Sequence, residues 1–166
     1  MRTPAFARVP LRSCIMLAAT LLAAAQSQAQ DATMVLAFGG EPGAPLPHSY
    51  DYGAPQTDAA TYTMRVPIFD RDVAPVFADS ELTVDIAAKT VQRVHIERAF
   101  KSLTECTAAK GIVEKKLAAA MPSPYTGPDP AWQYAKGGAV GGIYCNSARH
   151  LPYAILTLDL AVAPAP

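Results

Sequence analysis

The spacing of apolar residues changes once along this chain, and that change limits the folds open to it. Tyr62, Met64, Val66 and Ile68 alternate with Thr61, Thr63 and Arg65. Leu82, Val84 and Ile86 alternate with Thr83 and Asp85, and Val94, Ile96 and Phe100 oppose Arg93, His95 and Glu97. Ala154, Leu156, Leu158 and Leu160 form another such face, and residues 140–145 read as a further strand. Successive side chains of a strand point to opposite faces, so these patterns predict strands with one dry and one wet face. Residues 102–121 break the rhythm. Leu103, Cys106, Ala109, Val113, Leu117 and Ala120 recur at three and four, the stripe of an amphipathic helix. Ser102 and Glu105 have capping-box spacing, and Lys110 and Glu114 can pair one turn apart. Lys115 and Lys116 lie towards the negative end of the helix dipole, and Pro122 ends the helix. One helix among strands predicts an α+β domain: a small antiparallel sheet of four to five strands, one helix packed on one face, and one disulfide.

A register follows for the middle hairpin. Facing residues must point to the same side, so even-numbered apolar residues should pair with even-numbered ones. A three-residue loop, Ala88-Lys89-Thr90, pairs Val84 with Val94, Leu82 with Ile96 and Asp85 with Arg93. The last pair would be an opposite-charge contact on the wet face, contributing about 0.5 kcal/mol.

Proline and glycine divide the rest. Residues 39–60 carry four of each, so no long regular element fits there, with a short strand expected before it at residues 34–38. A second proline-rich loop spans residues 122–130, and residues 163–166 read as a frayed tail. The run Gly137-Gly138-Ala139-Val140-Gly141-Gly142 lacks the following helix and the Lys-Ser or Lys-Thr of a phosphate loop, and reads as a hairpin turn or bulge.

The first segment has its own grammar. Arg2, Arg8 and Arg12 precede the apolar run 14–25, and small residues Ser27 and Ala29 follow. This is the pattern of a secretory signal peptide over residues 1–29, cut before Gln30, with an alternative cut before Gln26. Its apolar run is too short to span a bilayer as a helix. The organisation expected is therefore a signal peptide at 1–29, a Pro/Gly-rich arm at 30–60, an α+β domain at 61–162 and a tail at 163–166. The whole chain is balanced, with 14 basic and 14 acidic residues. Losing the three arginines leaves 11 basic against 14 acidic residues, a net charge of −3. No basic excess remains to neutralise phosphates, which argues against a nucleic-acid partner. Removal of Cys14 leaves Cys106 and Cys145, and an even count in an oxidising compartment predicts a disulfide between them.

Few residues suggest chemistry. His95 and Glu97 share a strand face about 6.6 Å apart, and a third ligand from His48 or His150 would complete a metal or hydrolytic site. The preferred reading places His95 and Glu97 in a solvated charged patch with Arg93 and Asp85. No serine lies in a nucleophile elbow, and Cys106 and Cys145 are expected to be paired. Neither a metal nor a cofactor is assigned. The aromatic residues Tyr50, Tyr52, Tyr125, Trp132 and Tyr134 all lie in or beside the two Pro/Gly-rich loops, and large faces with one polar atom suit recognition. The expectation is a periplasmic or secreted non-catalytic module that binds a protein or cell-envelope component through loop aromatics, with no membrane span in the mature chain. Two alternatives stand beside it: a metal-binding protein or hydrolase using His95 and Glu97, and a structural accessory subunit of an envelope assembly.

Overall fold

The computed structural model describes residues 34–47, 59–147 and 152–164. Its strands are β1 (Thr61–Pro67), β2 (Asp79–Asp85), β3 (Thr90–Phe100), β4 (Ser123–Pro124), β5 (Tyr134–Lys136), β6 (Ala139–Asn146) and β7 (Ala154–Val162). A short helix, α1, covers residues 34–38, and the long helix, α2, is Leu103–Ala120. The strands form one antiparallel sheet in the order β1-β2-β3-β7-β6-β5-β4. The α+β class is as expected, with seven strands rather than four to five. The extra ones, β4 and β5, are two and three residues long, too short for periodicity to register. The signal peptide predicted at residues 1–29 lies outside the described residues. Among the described residues no helix is long and apolar enough to cross a membrane.

Residues 34–38 are helical rather than a strand. Met34, Ala37 and Phe38 are fully buried, at the i, i+3 and i+4 positions of a helix face. The segment therefore belongs to the core rather than to a separate arm. The following residues are tied to the start of β3. Gly43 N–H donates to the Val91 carbonyl, Val91 N–H to Ala44, and Leu46 N–H to Lys89.

The β2–β3 hairpin departs from the expected register. Leu82 faces Val94 and Thr83 faces Arg93, but Val84 then faces Val91. A bulge adds one residue to β3, so Val91 and Val94 both reach the core despite opposite parity. Asp85 does not meet Arg93. It faces Thr90, and its Oδ1 accepts the Ala88 N–H at 2.7 Å across the turn.

α2 lies on the apolar face of the sheet, over β6 and β7. Cys106, Ala109, Val113, Leu117 and Ala120 are its buried stripe, while Leu103 is exposed. The Ser102 hydroxyl accepts the Glu105 N–H at 3.2 Å, and Glu105 reaches back to the Lys101 N–H at 3.1 Å rather than to Ser102 itself. Gly141 is what lets the helix approach β6. A Cβ there would sit 2.8 Å from Met121 Sδ and 2.9 Å from Leu160 Cδ2. The Cys106–Cys145 disulfide, with Cα atoms 6.1 Å apart, joins the first turn of α2 to the end of β6. Gly111 has no such packing reason, since a Cβ would meet nothing within 4 Å. Gly111→Ala is therefore expected to stabilise the domain by about 1 kcal/mol through helix propensity. The check is a urea titration, and an unchanged or lower midpoint would refute it.

The connection between β1 and β2 turns back against α2 and is organised by Asp70. Its Oδ1 accepts the N–H groups of Asp72 and Val73 at 2.9 and 3.1 Å. Its Oδ2 accepts Lys116 Nζ at 3.1 Å, and Lys116 also reaches Asp72 at 2.8 Å. Lys116 thus serves the turn rather than the helix terminus. Burial alone would raise the Asp70 carboxyl, but the two N–H groups and the ammonium outweigh it and hold it below the usual aspartate value. A carboxyl whose pKa is lower folded than unfolded contributes stability above its unfolded value, about 3.9, and loses it as pH falls through the folded value. Asp70→Asn should lower stability at pH 6, and the gap from wild type should close below about pH 4. A gap that stays constant with pH would show that the charge has no part in it.

Candidate functional site: the open face of the sheet

α1, α2 and the β1–β2 connection all pack on one side of the sheet, as the glycine contacts and helix contacts require. The other side carries the odd-numbered residues of β3 and β7 and the even-numbered residues of β6. Register places them in rows. Glu97 faces Thr157, which faces Tyr144. His95 faces Asp159, which faces Gly142. Arg93 faces Ala161, which faces Val140.

Asp159 is the centre of this lattice. It is only 7% exposed, although it points away from the main core. Its neighbour on β6 is Gly142, and the backbone of Ala131 and Trp132 fills the space a side chain there would take. A buried carboxylate needs partners. Arg93 donates Nε and Nη2 to Asp159 Oδ1 at 2.9 and 2.6 Å. His95 Nδ1 lies 2.9 Å from the same oxygen, and Tyr144 Oη lies 3.5 Å from Oδ2. On the other side of the imidazole, Nε2 is 3.6 Å from Glu97 Oε1, which also accepts the Thr157 hydroxyl at 3.2 Å. Burial, then the charge of Asp159, pushes the Tyr144 phenol above its ordinary value and keeps it protonated.

His95, Glu97 and Arg93 therefore share a charged patch, as expected, but its acidic partner is Asp159 and not Asp85. Among the described residues no serine, threonine or cysteine is hydrogen-bonded to the imidazole. Nδ1 meets Asp159, Nε2 faces Glu97, and the nearby hydroxyl of Thr157 is engaged with that same carboxylate. Among the described residues no three His, Cys, Asp or Glu side chains converge to hold a metal ion. His48 and His150, the proposed third ligands, lie outside the described residues, as do Tyr50 and Tyr52.

The three described loop aromatics are half-buried and do not form a single rim. Tyr134 is on the helix side, donating to Glu114 Oε1 at 3.0 Å, and burial with the Glu114 charge raises its phenol. Tyr125 folds back against its own loop, where its ring crowds the Gly127 position. Trp132 belongs to the segment that closes over Gly142, so it borders the polar cluster. Sequence reasoning missed Asp159, Thr157 and Tyr144. A hint was available in β7, where Thr157 and Asp159 interrupt an otherwise apolar strand.

A seven-stranded α+β sheet domain, closed by one disulfide and carrying a preorganised polar cluster on its helix-free face, is the class these features define. Neither protein-family models, nor curated proteins, nor solved structures provide a match to the chain.

Proposed function

We propose that this is an exported, non-catalytic binding module that engages a polar protein or cell-envelope component on the open face of its sheet, with Trp132 at the border. The observation that carries the reading is Asp159. A carboxylate buried on the outward side and bonded to Arg93 and His95 fixes those side chains before any partner arrives. Preorganised polar groups lose less entropy on binding than mobile ones. The Arg93 side chain is still 51% exposed and that of Glu97 52%, so one cation and one anion remain available. Tyr144 adds a half-exposed ring between them and the loop. Export rests on the signal-like segment and on the disulfide, a bond that persists in oxidising compartments.

The test is site-specific photo-crosslinking in the producing cell. A photoreactive residue at Tyr144 should give a discrete adduct, and one at exposed Ala119 on α2 should not. Replacing Arg93 and Glu97 with Ala should reduce the Tyr144 adduct about tenfold, the effect of losing two exposed charge contacts. Equal adducts from both positions, or none from Tyr144, would refute the open-face reading. Mass spectrometry of the exported protein should find its N-terminus at Gln30 or Gln26, and an intact Met1 would refute export by cleavage.

A further inference from the structure

We propose that the groove between the 70–76 turn and α2, on the opposite side of the sheet from the polar cluster, holds a single-chain amphiphile with an anionic head. The groove is open to solvent on one side, holds about 520 Å³ and is lined by Arg71, Asp72, Pro75, Val76, Ile112, Lys115 and Lys116. That volume lies in the range of small-molecule sites, which are apolar with a few placed polar groups.

Three features set the chemistry of the occupant. The first is charge. Lys116 is paired with both Asp70 and Asp72, so these three side chains together carry one negative charge. Among the described residues Arg71 and Lys115 make no ion pair with a carboxylate. With these two unpaired cations lining it, the groove keeps a net charge of +1, which attracts an anion. The second is the wall. Pro75, Val76 and Ile112 give it an apolar surface, and Ile112 is 46% exposed in the middle of a helix. The third is what surrounds it. Leu36 and Phe69 are also exposed, at 52% and 61%, and they sit at the same turn: the Leu36 carbonyl accepts the N–H groups of Phe69 and Asp70. Asp70 in turn holds Lys116, one helical turn from Ile112. An exposed Ile112 and an apolar wall of Pro75 and Val76 beside unpaired cations fit a molecule with an apolar tail and a carboxylate or phosphate head. A purely acidic peptide would satisfy Arg71 and Lys115 and leave Ile112 in water.

The turn is held rigid from behind, so the groove is present before a ligand arrives. Arg98 donates to the carbonyls of Pro75 and Val76 at 2.7 and 2.5 Å and stacks on Phe100. The same turn is closed by the Asp70 hydrogen bonds.

Calorimetry of the mature protein with sodium laurate, below its micelle concentration, is the test. Saturable one-to-one binding is expected. Dodecyl maltoside, with an alkyl chain of nearly the same length and no charge, should bind about tenfold more weakly. Arg71→Glu with Lys115→Glu, and separately Ile112→Asn, should each weaken laurate binding about tenfold. All three positions are at the surface, and unchanged melting temperatures would show that the variants fold. Arg93→Ala, on the opposite face, should leave laurate binding unaltered, so this result is independent of the open-face test. Absence of saturable laurate binding, indifference to the double charge reversal, or tighter binding of a deca-glutamate peptide than of laurate would each overturn the proposal.

Discussion

Replacing Cys106 and Cys145 with Ala will lower the unfolding free energy by about 4 kcal/mol, read as a large drop in urea midpoint. The magnitude comes from chain entropy. The bond closes a loop of 39 residues, and loop closure of that length restricts the unfolded ensemble by about this amount. Its position in the fold adds to the expectation. Cys106 is fully buried on the α2 stripe, and Cys145 lies at the end of β6 opposite Leu156 of β7. The stripe itself is weak: three of its five buried residues are Cys106 and two alanines, so α2 brings little apolar surface of its own. A helix so poor in large side chains depends on being tethered. A typical domain has only about 5–15 kcal/mol in all, so the loss is a large fraction of it. A change below about 1 kcal/mol would show that α2 stays docked without the bond.

What the sequence reveals of this fold follows the range of the interaction. α2 was readable because its cap, stripe and terminating proline are all local. The disulfide was readable because only two cysteines remain once the signal segment is set aside. The β2–β3 register was not, because a single extra residue in β3 exchanges the parity on which the pairing rule depends. α1 was hidden because residues 34–38 offer only one turn, and one turn of apolar residues satisfies either period. The site divides along the same line. His95 and Glu97 share a face by local geometry alone. Asp159 joins them only because the last strand inserts between β3 and β6, a choice that no local pattern encodes. The loop aromatics illustrate the converse. They are neighbours in sequence, yet Tyr134 faces α2 while the Trp132 backbone crosses the open face.

Gly142→Ala will destabilise the domain by about 1–3 kcal/mol, and it will do so through the site rather than the main core. The consecutive glycines of β6 serve opposite faces, since side chains alternate along a strand. Gly141 admits α2, and Gly142 admits the backbone of residues 131–132. A Cβ at Gly142 would collide with the Ala131 carbonyl oxygen, and backbone cannot rotate away as a flexible side chain can. The loop must therefore lift. Lifting it uncovers Asp159, which faces Gly142 across the β6–β7 ladder, and exposes Trp132. Trp132 is the only tryptophan in the chain, so its emission reports on this segment alone. A red shift in emission should accompany the loss in stability. Gly138→Ala supplies the control, because a Cβ there meets nothing within 4 Å, and it should change neither. If Gly142→Ala leaves both the midpoint and the Trp132 emission at wild-type values, the loop does not close over Asp159. The burial of that carboxylate would then need another cause, and the preorganisation of Arg93 and His95 would lose its basis.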